Sequence, residues 1–326
     1  MKTGKPQLMR ELNLKQVREL LQADQGLTKP ELAKLSGLSV VTVNAIIKQL
    51  MARGEVSQLT HPSPTGGRPA SRFIYNYDYQ LVLAICLYQK VTMDMAEFTI
   101  CNLAGEIQEQ WQVEFQQVAK EEFADLIQVA KSKYPNLQQV AIGLPGVEIA
   151  GQIKMSDFML LKGSYLRSYL KETCGLPVTI ENDVNAVLLG YCHTQKIQSE
   201  TVVALYYPDN YPPGSAVFLH DRIVHGANGI VGEVNLLPLL ANWQAVGKNP
   251  DVLMMNISQT IVTMMVAYDP HRIVIYGKLL QEELAIRKEL LDLFDQVKLP
   301  EIICLKSFKE DYLTGVTTLA IQVLKD

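Results

Sequence analysis

Two short runs of apolar residues mark the centre of the chain, at residues 140–144 and 178–180. Neither run alternates apolar with charged positions, which is typical of strands that are covered on both faces. The first run breaks at a Pro-Gly pair and the second at Glu-Asn-Asp. The pattern therefore predicts two buried strands, each of which ends abruptly in a loop.

Asn182 and Asp183 lie where the second of these strands ends. In an open α/β sheet, ligands bind in the crevice beyond the carboxyl ends of the strands. An amide and a carboxylate at that place can bind hydroxyl groups, and the carboxylate can accept a proton from one of them. The alternative is that the pair only caps the helix that opens at Val184, because Asn and Asp are favoured at helix starts.

Apolar periodicity predicts the other elements of the body, which begins at about residue 76. Three strands, a helix and the first central strand give a β-β-β-α-β order, which predicts a mixed sheet entered by a hairpin. These elements are expected at residues 81–87, 93–100, 106–114, 120–132 and 140–144. The later elements are expected as a helix at 184–191, a strand at 201–207, a hairpin at 215–224, a helix at 251–268, a strand at 272–276, and helices at 281–293 and 312–324.

Three short helices are predicted in the head, the part of the chain that ends at about residue 75. The first opens at Asn13, a residue type that caps helices. Thr28 and Glu31 have the spacing of a capping box, which opens the second helix. Ser39 caps the third helix, which is expected to run to about Arg53.

The second and third helices have the spacing of a helix-turn-helix. A small residue lies at Ala33, a turn at Gly37 and an anchoring apolar residue at Val43. The third helix is expected to have an inward set of residues and an outward set at the end that would enter a major groove. The inward set is Val40, Val43, Ile47 and Leu50, and the outward set is Thr42, Asn44, Ala45 and Lys48.

Two extended segments, 55–59 and 72–77, flank a loop rich in proline and glycine. This is the pattern of a wing, and its Gly66-Gly67-Arg68-Pro69 run is slender enough to place Arg68 in a narrow minor groove. The candidate DNA-binding residues are therefore Ser39, Thr42, Asn44, Lys48 and Arg68. The alternatives are a protein-interaction module for the three helices and a plain linker for the glycine run.

The charge of the chain is divided unevenly between head and body. Residues 1–75 contain 11 basic and 5 acidic residues, a net charge of +6, whereas the remaining residues contain 19 and 29, a net charge of −10. A basic head on an acidic body favours a polyanion as the partner of the head, which agrees with a helix-turn-helix that binds duplex DNA.

Composition places the chain among ordinary globular proteins. Its 326 residues are enough for two or three domains with their own cores. No apolar run approaches the roughly 18–20 residues that span a bilayer, and no apolar segment follows the basic N-terminus as in a signal peptide. Five cysteines with no C-x-x-C pair argue against a disulfide framework and favour the cytoplasm.

Several motifs follow one another in a fixed order along the chain. They are the helix-turn-helix, Gly66–Pro69, Gly143–Gly146, Glu181–Ala186, His225–Glu233 and Asp269–Gly277. With these motifs, nearly the whole chain resembles the ROK family of repressors, uncharacterised reading frames and sugar kinases, and specifically its winged-helix repressor branch.

The resemblance implies an α/β fold class, in which an N-terminal winged helix-turn-helix (residues 1–75) precedes a two-lobed, actin-like ATPase body (residues 76–326). Lobe one would comprise residues 76–184 with the C-terminal helix 312–326, and lobe two residues 185–311. Sugar would bind between the lobes through Asn182, Asp183 and Glu233, and bodies would associate as dimers or tetramers. In the family's kinases, the position of Asp183 is the general base.

The chain departs from the pattern of the family's kinases at three places. Cys86-Leu87-Tyr88-Gln89-Lys90 replaces the Asp-x-Gly-Gly-Thr turn whose amides approach the ATP phosphates, and Tyr276-Gly277 replaces a glycine pair near the adenosine. The family's zinc-binding cysteine motif is absent, and Leu236 stands where a histidine is usual. These departures predict a protein without catalysis, cofactor or metal.

The sequence therefore predicts a transcriptional regulator of carbohydrate genes that binds an operator and senses a sugar or sugar derivative without phosphorylating it. Two alternatives remain. One is a sugar kinase that kept a DNA-binding head, and the other is a regulator whose degenerate cleft has passed control to a protein partner.

Overall fold

The computed structural model describes residues 5–60, 71–90, 93–208, 211–237, 250–277 and 298–325. The chain forms two compact units, Met1–Gln80 and Leu81–Asp326, which we call the head and the body. The predicted wing loop with Arg68 and the predicted helix at 281–293 lie outside the described residues.

Eight helices are described. They are α1 (Lys5–Ala23), α2 (Lys29–Ser36), α3 (Val40–Ala52), α4 (Lys120–Lys133), α5 (Leu166–Cys174), α6 (Asp183–Thr194), α7 (Pro250–Tyr268) and α8 (Lys309–Lys325).

Fourteen strands are described in the same ranges of the chain. They are β1 (Val56–Thr60), β2 (Ser71–Tyr75), β3 (Leu81–Lys90), β4 (Met93–Asn102), β5 (Ile107–Phe115), β6 (Leu137–Leu144), β7 (Gly146–Ile149), β8 (Gln152–Ser156), β9 (Val178–Asn182), β10 (Val202–Tyr206), β11 (Gly214–Leu219), β12 (Arg222–Ile223), β13 (Arg272–Tyr276) and β14 (Glu301–Leu305).

The head consists of α1, α2 and α3 followed by the antiparallel pair β1–β2. The predicted capping box is confirmed, since Thr28 and Glu31 bind each other's backbone N–H groups at the start of α2. Gly37 is left-handed (φ 71°) and makes the turn, and the Ser39 side chain accepts from the Thr42 N–H at the start of α3.

The predicted start of the first helix is wrong. α1 already contains Lys5, so Asn13 lies in the helix interior and does not cap it. The preceding residues are mainly good helix formers, and Pro6 suits a first helical turn. Capping preference at Asn13 was therefore overridden by the propensity of the segment before it.

The body contains two five-stranded sheets with the same topology. Their strand orders are β5-β4-β3-β6-β9 and β12-β11-β10-β13-β14. In each sheet an antiparallel meander of three strands is continued by two parallel strands. The runs without polar alternation form β6 and β9, which are parallel neighbours, so the two predicted central strands are confirmed.

Two helices, α6 and α8, lie between the sheets. α8 packs on α6, β3 and β6, while α6 also packs on β10 and β11. Their backbones touch, because a Cβ added to Gly190 would lie 1.8 Å from the Asp311 oxygen and one added to Gly315 would lie 1.8 Å from the Ala186 oxygen. Below, lobe one means the first sheet with α4, α5 and the hairpin β7–β8, and lobe two means the second sheet with α7.

Several elements differ from the prediction. The hairpin β7–β8, the helix α5 and the strand β14 were not predicted, and α8 begins at Lys309 instead of Tyr312. The predicted lobe boundary at residues 184/185 falls inside α6, which packs on both sheets. None of the described helices alone is long and apolar enough to span a membrane, although by length and composition the α2–α3 pair, bent by 113°, passes that test together.

Candidate functional site

Asn182 and Asp183 lie at the carboxyl end of β9, where the chain enters α6. The Asn182 carbonyl oxygen Oδ1 accepts from the Asn185 N–H at 3.1 Å, and its amide Nδ2 donates to the Gly146 oxygen at 3.2 Å. Asn182 therefore caps α6 and fastens β9 to the Pro-Gly turn after β6. The capping interpretation holds for this residue, which retains one N–H and one lone pair for a ligand.

Asp183 belongs to a group of three carboxylates. The pKa of Asp183 is raised to about 6, mainly by burial and also by the charges of Asp157 and Glu233, while hydrogen bonds from the Val184 and Asp183 N–H groups oppose the rise. Burial and the charge of Asp157 raise the pKa of Glu233, and burial raises the pKa of Asp157. Three desolvated carboxylates, of which Asp157 acts on the other two, form an acceptor-rich patch.

Two further acceptors, which line the same pocket as these carboxylates, are buried and lack a partner among the described residues. Within the described ranges, Glu148 Oε2 and Asn235 Oδ1 receive no hydrogen bond. Glu148 Oε1 pairs with Arg167 at 3.1 Å. A buried acceptor without a donor costs about 1–3 kcal/mol, so both atoms favour a ligand that brings hydroxyl or amine donors.

Glu181 organises the floor of the same region. Its Oε1 accepts from the Asn182 N–H and from Asn185 Nδ2, each at 2.9 Å, and its Oε2 lies 2.7 Å from His225 Nε2. The hydrogen bond to Glu181 raises the pKa of His225. His225 precedes the glycine-rich loop that carries Glu233, so this pair links lobe two to the end of β9.

These residues line an open cleft between the lobes, with a volume of about 1370 Å³. The volume exceeds the roughly 300–1,000 Å³ of ordinary small-molecule pockets. Asp157, Asp183 and Glu233 belong to one part of its lining, which we call the carboxylate end. The β3–β4 hairpin and the start of α8 form an adjoining part, which we call the β3 end. The two parts meet where Gln89 Nε2 donates to the Asp157 backbone oxygen at 3.4 Å.

At the β3 end, the five residues predicted to stand in place of the kinase glycine turn form the last half of β3. Cys86 through Lys90 pair in register with Glu97 through Met93 of β4. Gln89 Nε2 donates to Asp94 Oδ1 at 3.0 Å, and Gln89 Oε1 accepts from the Tyr211 hydroxyl at 2.5 Å. The Tyr211 bond joins the loop after β10 to the tip of β3, across the cleft.

A buried carboxylate at this end is fully paired. Glu97 is only 3% exposed, and it accepts from Gln110 at 2.7 Å and Gln112 at 2.9 Å. Lys309, the first residue of α8, completes the set with an ion pair at 2.8 Å. Glu97 is thus satisfied by protein groups.

Aromatic side chains occupy the lobe-two side of the β3 end. Tyr206 and Phe308 pack edge to face with ring centroids 4.6 Å apart, and Tyr276 is fully buried with its hydroxyl 2.8 Å from Asp311 Oδ2. The Tyr312 hydroxyl donates to the Leu87 oxygen at 3.2 Å. Together with Val184, Val187 and Asp183, Tyr206, Tyr276 and Phe308 line only a small void beside α6.

Four of the five predicted DNA-binding residues of the head lie at the N-cap of α3 or within that helix. Ser39 Oγ and Thr42 Oγ1 are hydrogen-bonded to each other at 2.9 Å, and Asn44 Oδ1 accepts from Lys29 Nζ at 2.5 Å. Lys48 is exposed. Arg68 lies outside the described residues, so its predicted position in a wing stays a prediction.

The predicted inward face of α3 is wrong at one position. Val40 is 52% exposed, whereas Ile46 joins Val43, Ile47 and Leu50 in the core. Val40 is the first residue of α3, so no preceding helical turn covers its side chain. The error comes from extending a helical period to the helix end.

Sequence reasoning missed Asp157, Glu148 and Asn235 as cleft residues. Asp157 follows the unpredicted hairpin β7–β8, and Glu148 lies within it. No periodic signal marks a four-residue strand, so only the turn glycine at 151 could have indicated it. Among the described residues, no group of three or more His, Cys, Asp or Glu side chains is arranged to hold a metal ion.

Comparison with known proteins agrees with this geometry. Residues 91–239 match the ROK family, and residues 15–54 match a winged helix-turn-helix DNA-binding family. The xylose repressor of Caldicellulosiruptor bescii is 24% identical over 251 residues, which are 71% of this chain and 59% of the repressor. The N-acetyl-D-glucosamine kinase of Photobacterium profundum is 32% identical over 114 residues, 33% of this chain and 37% of the kinase.

A solved structure extends the likeness to the fold as a whole. It is that of a ROK family transcriptional regulator, a homologue of the E. coli MLC protein, with a TM-score of 0.70 over 97% of both chains at 16% identity. The chain spans about three fifths of the length of the xylose repressor that it matches. The predicted fold class is confirmed: the chain contains a ROK family domain of sugar-kinase-like α/β fold, preceded by an N-terminal winged helix-turn-helix domain.

Proposed function

We propose that this protein is a transcriptional repressor of carbohydrate metabolism genes, which binds operator DNA through its head and a sugar or sugar derivative in the cleft of its body. The body does not phosphorylate that ligand. The protein acts in the cytoplasm as a homodimer or tetramer, because two-fold symmetry of the protein suits a palindromic operator.

One observation carries the sensing part of the proposal: the contrast between unpaired acceptors at one end of the cleft and paired groups at the other. Glu148 Oε2 and Asn235 Oδ1 are buried without donors among the described residues, and Asp183 has a pKa raised to about 6. A sugar is a chain of hydroxyl donors. Asn182, Asp183 and Glu233 are the proposed ligand-binding residues, to which we add Asp157, Glu148 and Asn235.

The absence of phosphoryl transfer is supported by the β3 end. Catalysis of this reaction depends almost wholly on positioning and on stabilising the phosphate charges. Here the residues aligned with the phosphate turn belong to a β ladder, and Glu97 and Lys309 neutralise each other. No cofactor or metal is part of the proposal.

The test is thermal unfolding of the full chain with a panel of sugars, sugar phosphates and ATP. A ligand at about 100 times its dissociation constant should add roughly 2.7 kcal/mol to the free energy of unfolding. We expect one sugar class to stabilise the wild type and to lose its effect in Asp183→Asn. Asp125→Asn, an exposed carboxylate on α4, is the control that should keep the effect.

Two results would overturn the proposal in different ways. No stabilisation by any sugar would favour a degenerate cleft controlled by a protein partner. Stabilisation by ATP would mean that the β3 end still admits a nucleotide. For the DNA part, selection from random duplexes should enrich one palindromic sequence; failure to enrich any sequence would leave the head as a protein-interaction module.

A sugar kinase with a DNA-binding head is the second candidate. It is favoured by Asp183, since a carboxylate with a pKa of about 6 suits a general base near neutral pH. A coupled assay of ADP release over hexoses and amino sugars distinguishes the two. Turnover that disappears in Asp183→Asn would establish the kinase, and no turnover with a sugar that does stabilise the protein would establish the sensor.

A further inference from the structure

The outermost side chains at the start of α3 are apolar. Val41 is 80% exposed and Val40 is 52% exposed, although the rest of the helix buries its valine and isoleucine side chains. Ala45 is exposed as well. A single exposed apolar side chain is ordinary, but three neighbouring ones at the start of one helix form an apolar patch, which favours a contact made in a complex.

The polar side chains around Val41 are already engaged. Ser39 and Thr42 share a hydrogen bond between their hydroxyls, and Ser39 also accepts from the Thr42 N–H. Asn44 Oδ1 accepts from Lys29 Nζ, which leaves the Asn44 amide one lone pair and its two Nδ2 hydrogens.

Val41, Ala45 and Lys48 lie four and three residues apart, which places them on one face of α3. This face carries two apolar side chains close to the N-terminus of the helix and a cation one turn later. In a helix-turn-helix, the N-terminal residues of the second helix contact base edges in the major groove, and lysines contact phosphates.

We propose that Val41, with Ala45 beside it, reads the 5-methyl group of thymine in the operator. The inference rests on the proposed DNA-binding function. Thymine is the one base of unmodified DNA that presents a methyl group in the major groove, and apolar side chains are the groups that recognise it. The head carries a net charge of +6 over residues 1–75, which fits duplex DNA as the occupant of this face.

The experiment removes the methyl group instead of the base. The full chain first selects its site from random duplexes, and each thymine of that site is then replaced in turn by deoxyuridine. Binding is measured by fluorescence anisotropy at one salt concentration for the wild type and for Val41→Ala. At one thymine, loss of the methyl should weaken wild-type binding about fourfold, the effect of one buried methyl group.

The decisive comparison is the effect of one deoxyuridine substitution on the affinity of the wild type and on the affinity of Val41→Ala. In Val41→Ala, the same deoxyuridine substitution should have no further effect, while losses at other thymines persist. Val129→Ala removes another exposed valine, from α4 of the body (67% exposed against 80% for Val41), and should behave as the wild type.

Three outcomes would overturn the inference. They are a selected site without thymine, a methyl effect that is unchanged in Val41→Ala, and a Val41→Ala protein that binds every duplex as the wild type does. Selection of no sequence at all would instead overturn the proposed function on which the inference rests, so the two failures are distinguishable.

Discussion

Both ends of the cleft contain desolvated carboxylates, but the two ends differ in the groups that surround those carboxylates. At the carboxylate end, burial and the charge of Asp157 raise the pKa of Asp183 and of Glu233. At the β3 end, the carboxylate of Glu97 is held by two glutamines and by Lys309. The first end keeps like charges close together, and the second neutralises its charge within the fold.

The difference supports the proposed ligand site at the carboxylate end. Desolvated carboxylates without cations make the free protein less stable, and a ligand that supplies donors would reverse that cost. Paired charges offer no such gain, because a ligand would have to replace bonds that already exist.

The largest expected effect on the free energy of unfolding is at the contact between α6 and α8, the two helices that lie between the sheets. Gly315→Ala places a Cβ 1.8 Å from the Ala186 oxygen and should separate α6 from α8, with a loss of about 3 kcal/mol or more. The gain in helix propensity, about 1 kcal/mol, is too small to compensate. Urea unfolding measures the change, and Gly214→Ala, whose nearest neighbour is a Val184 methyl at 3.2 Å, should cost much less. Equal stabilities would mean that the helices can separate freely.

Asp183→Asn tests the carboxylate end and should stabilise the protein. The folded pKa of Asp183 is raised to about 6, so the wild type loses stability as pH rises from about 4 to about 6, by about 2–3 kcal/mol in total. The variant should therefore be more stable than the wild type at pH 7.5 and nearly equal at pH 4. Asp125→Asn is the control. A loss of stability at pH 7.5 would instead mean that Asp183 serves as a helix-start charge.

Lys309→Ala tests the β3 end and should destabilise the protein by about 1–2 kcal/mol, because it leaves Glu97 buried without a cation. The effect is limited by the exposure of Lys309, 61% for its side chain. Glu97→Gln in the same chain should restore most of the loss, which a double-mutant cycle measures. Lys306→Ala, an exposed lysine close by, is the control; equal effects of the two lysines would remove the distinction between the ends.

The smallest expected effect concerns the link from lobe two to β9. Hydrogen bonding to Glu181 raises the pKa of His225, so its stabilising effect is fully present below pH 6.5 and lost as pH rises through the higher folded pKa. The side chain is 60% exposed, which keeps the effect of His225→Gln below about 1 kcal/mol. Unfolding at pH 5.5 and pH 8.5 should show a larger difference at the lower pH. A difference independent of pH would mean that the charge of His225 plays no part, and His193→Gln is the matched control.

Local patterns in the sequence predicted much of this molecule. The runs without polar alternation became β6 and β9, and the Thr28–Glu31 and Ser39 signals became the starts of α2 and α3. These features depend on neighbours within one helical turn or along one strand, so they are visible in the order of residues. The same reasoning failed at two positions that depend on where a helix begins: Asn13, which lies inside α1, and Val40, which is exposed at the start of α3.

Only the tertiary structure decided how the cleft is divided. The Tyr211–Gln89 hydrogen bond joins residues that are 122 positions apart in the sequence. Lys309 and Glu97, which form an ion pair, are likewise far apart along the chain. The position of Asp157 near Asp183 likewise depends on the hairpin β7–β8, whose strands are too short to show an apolar period in the sequence. The sequence by itself determined the central strands β6 and β9 and the starts of α2 and α3. Which side chains meet was decided by packing, because contacts between distant segments leave no periodic trace along the chain.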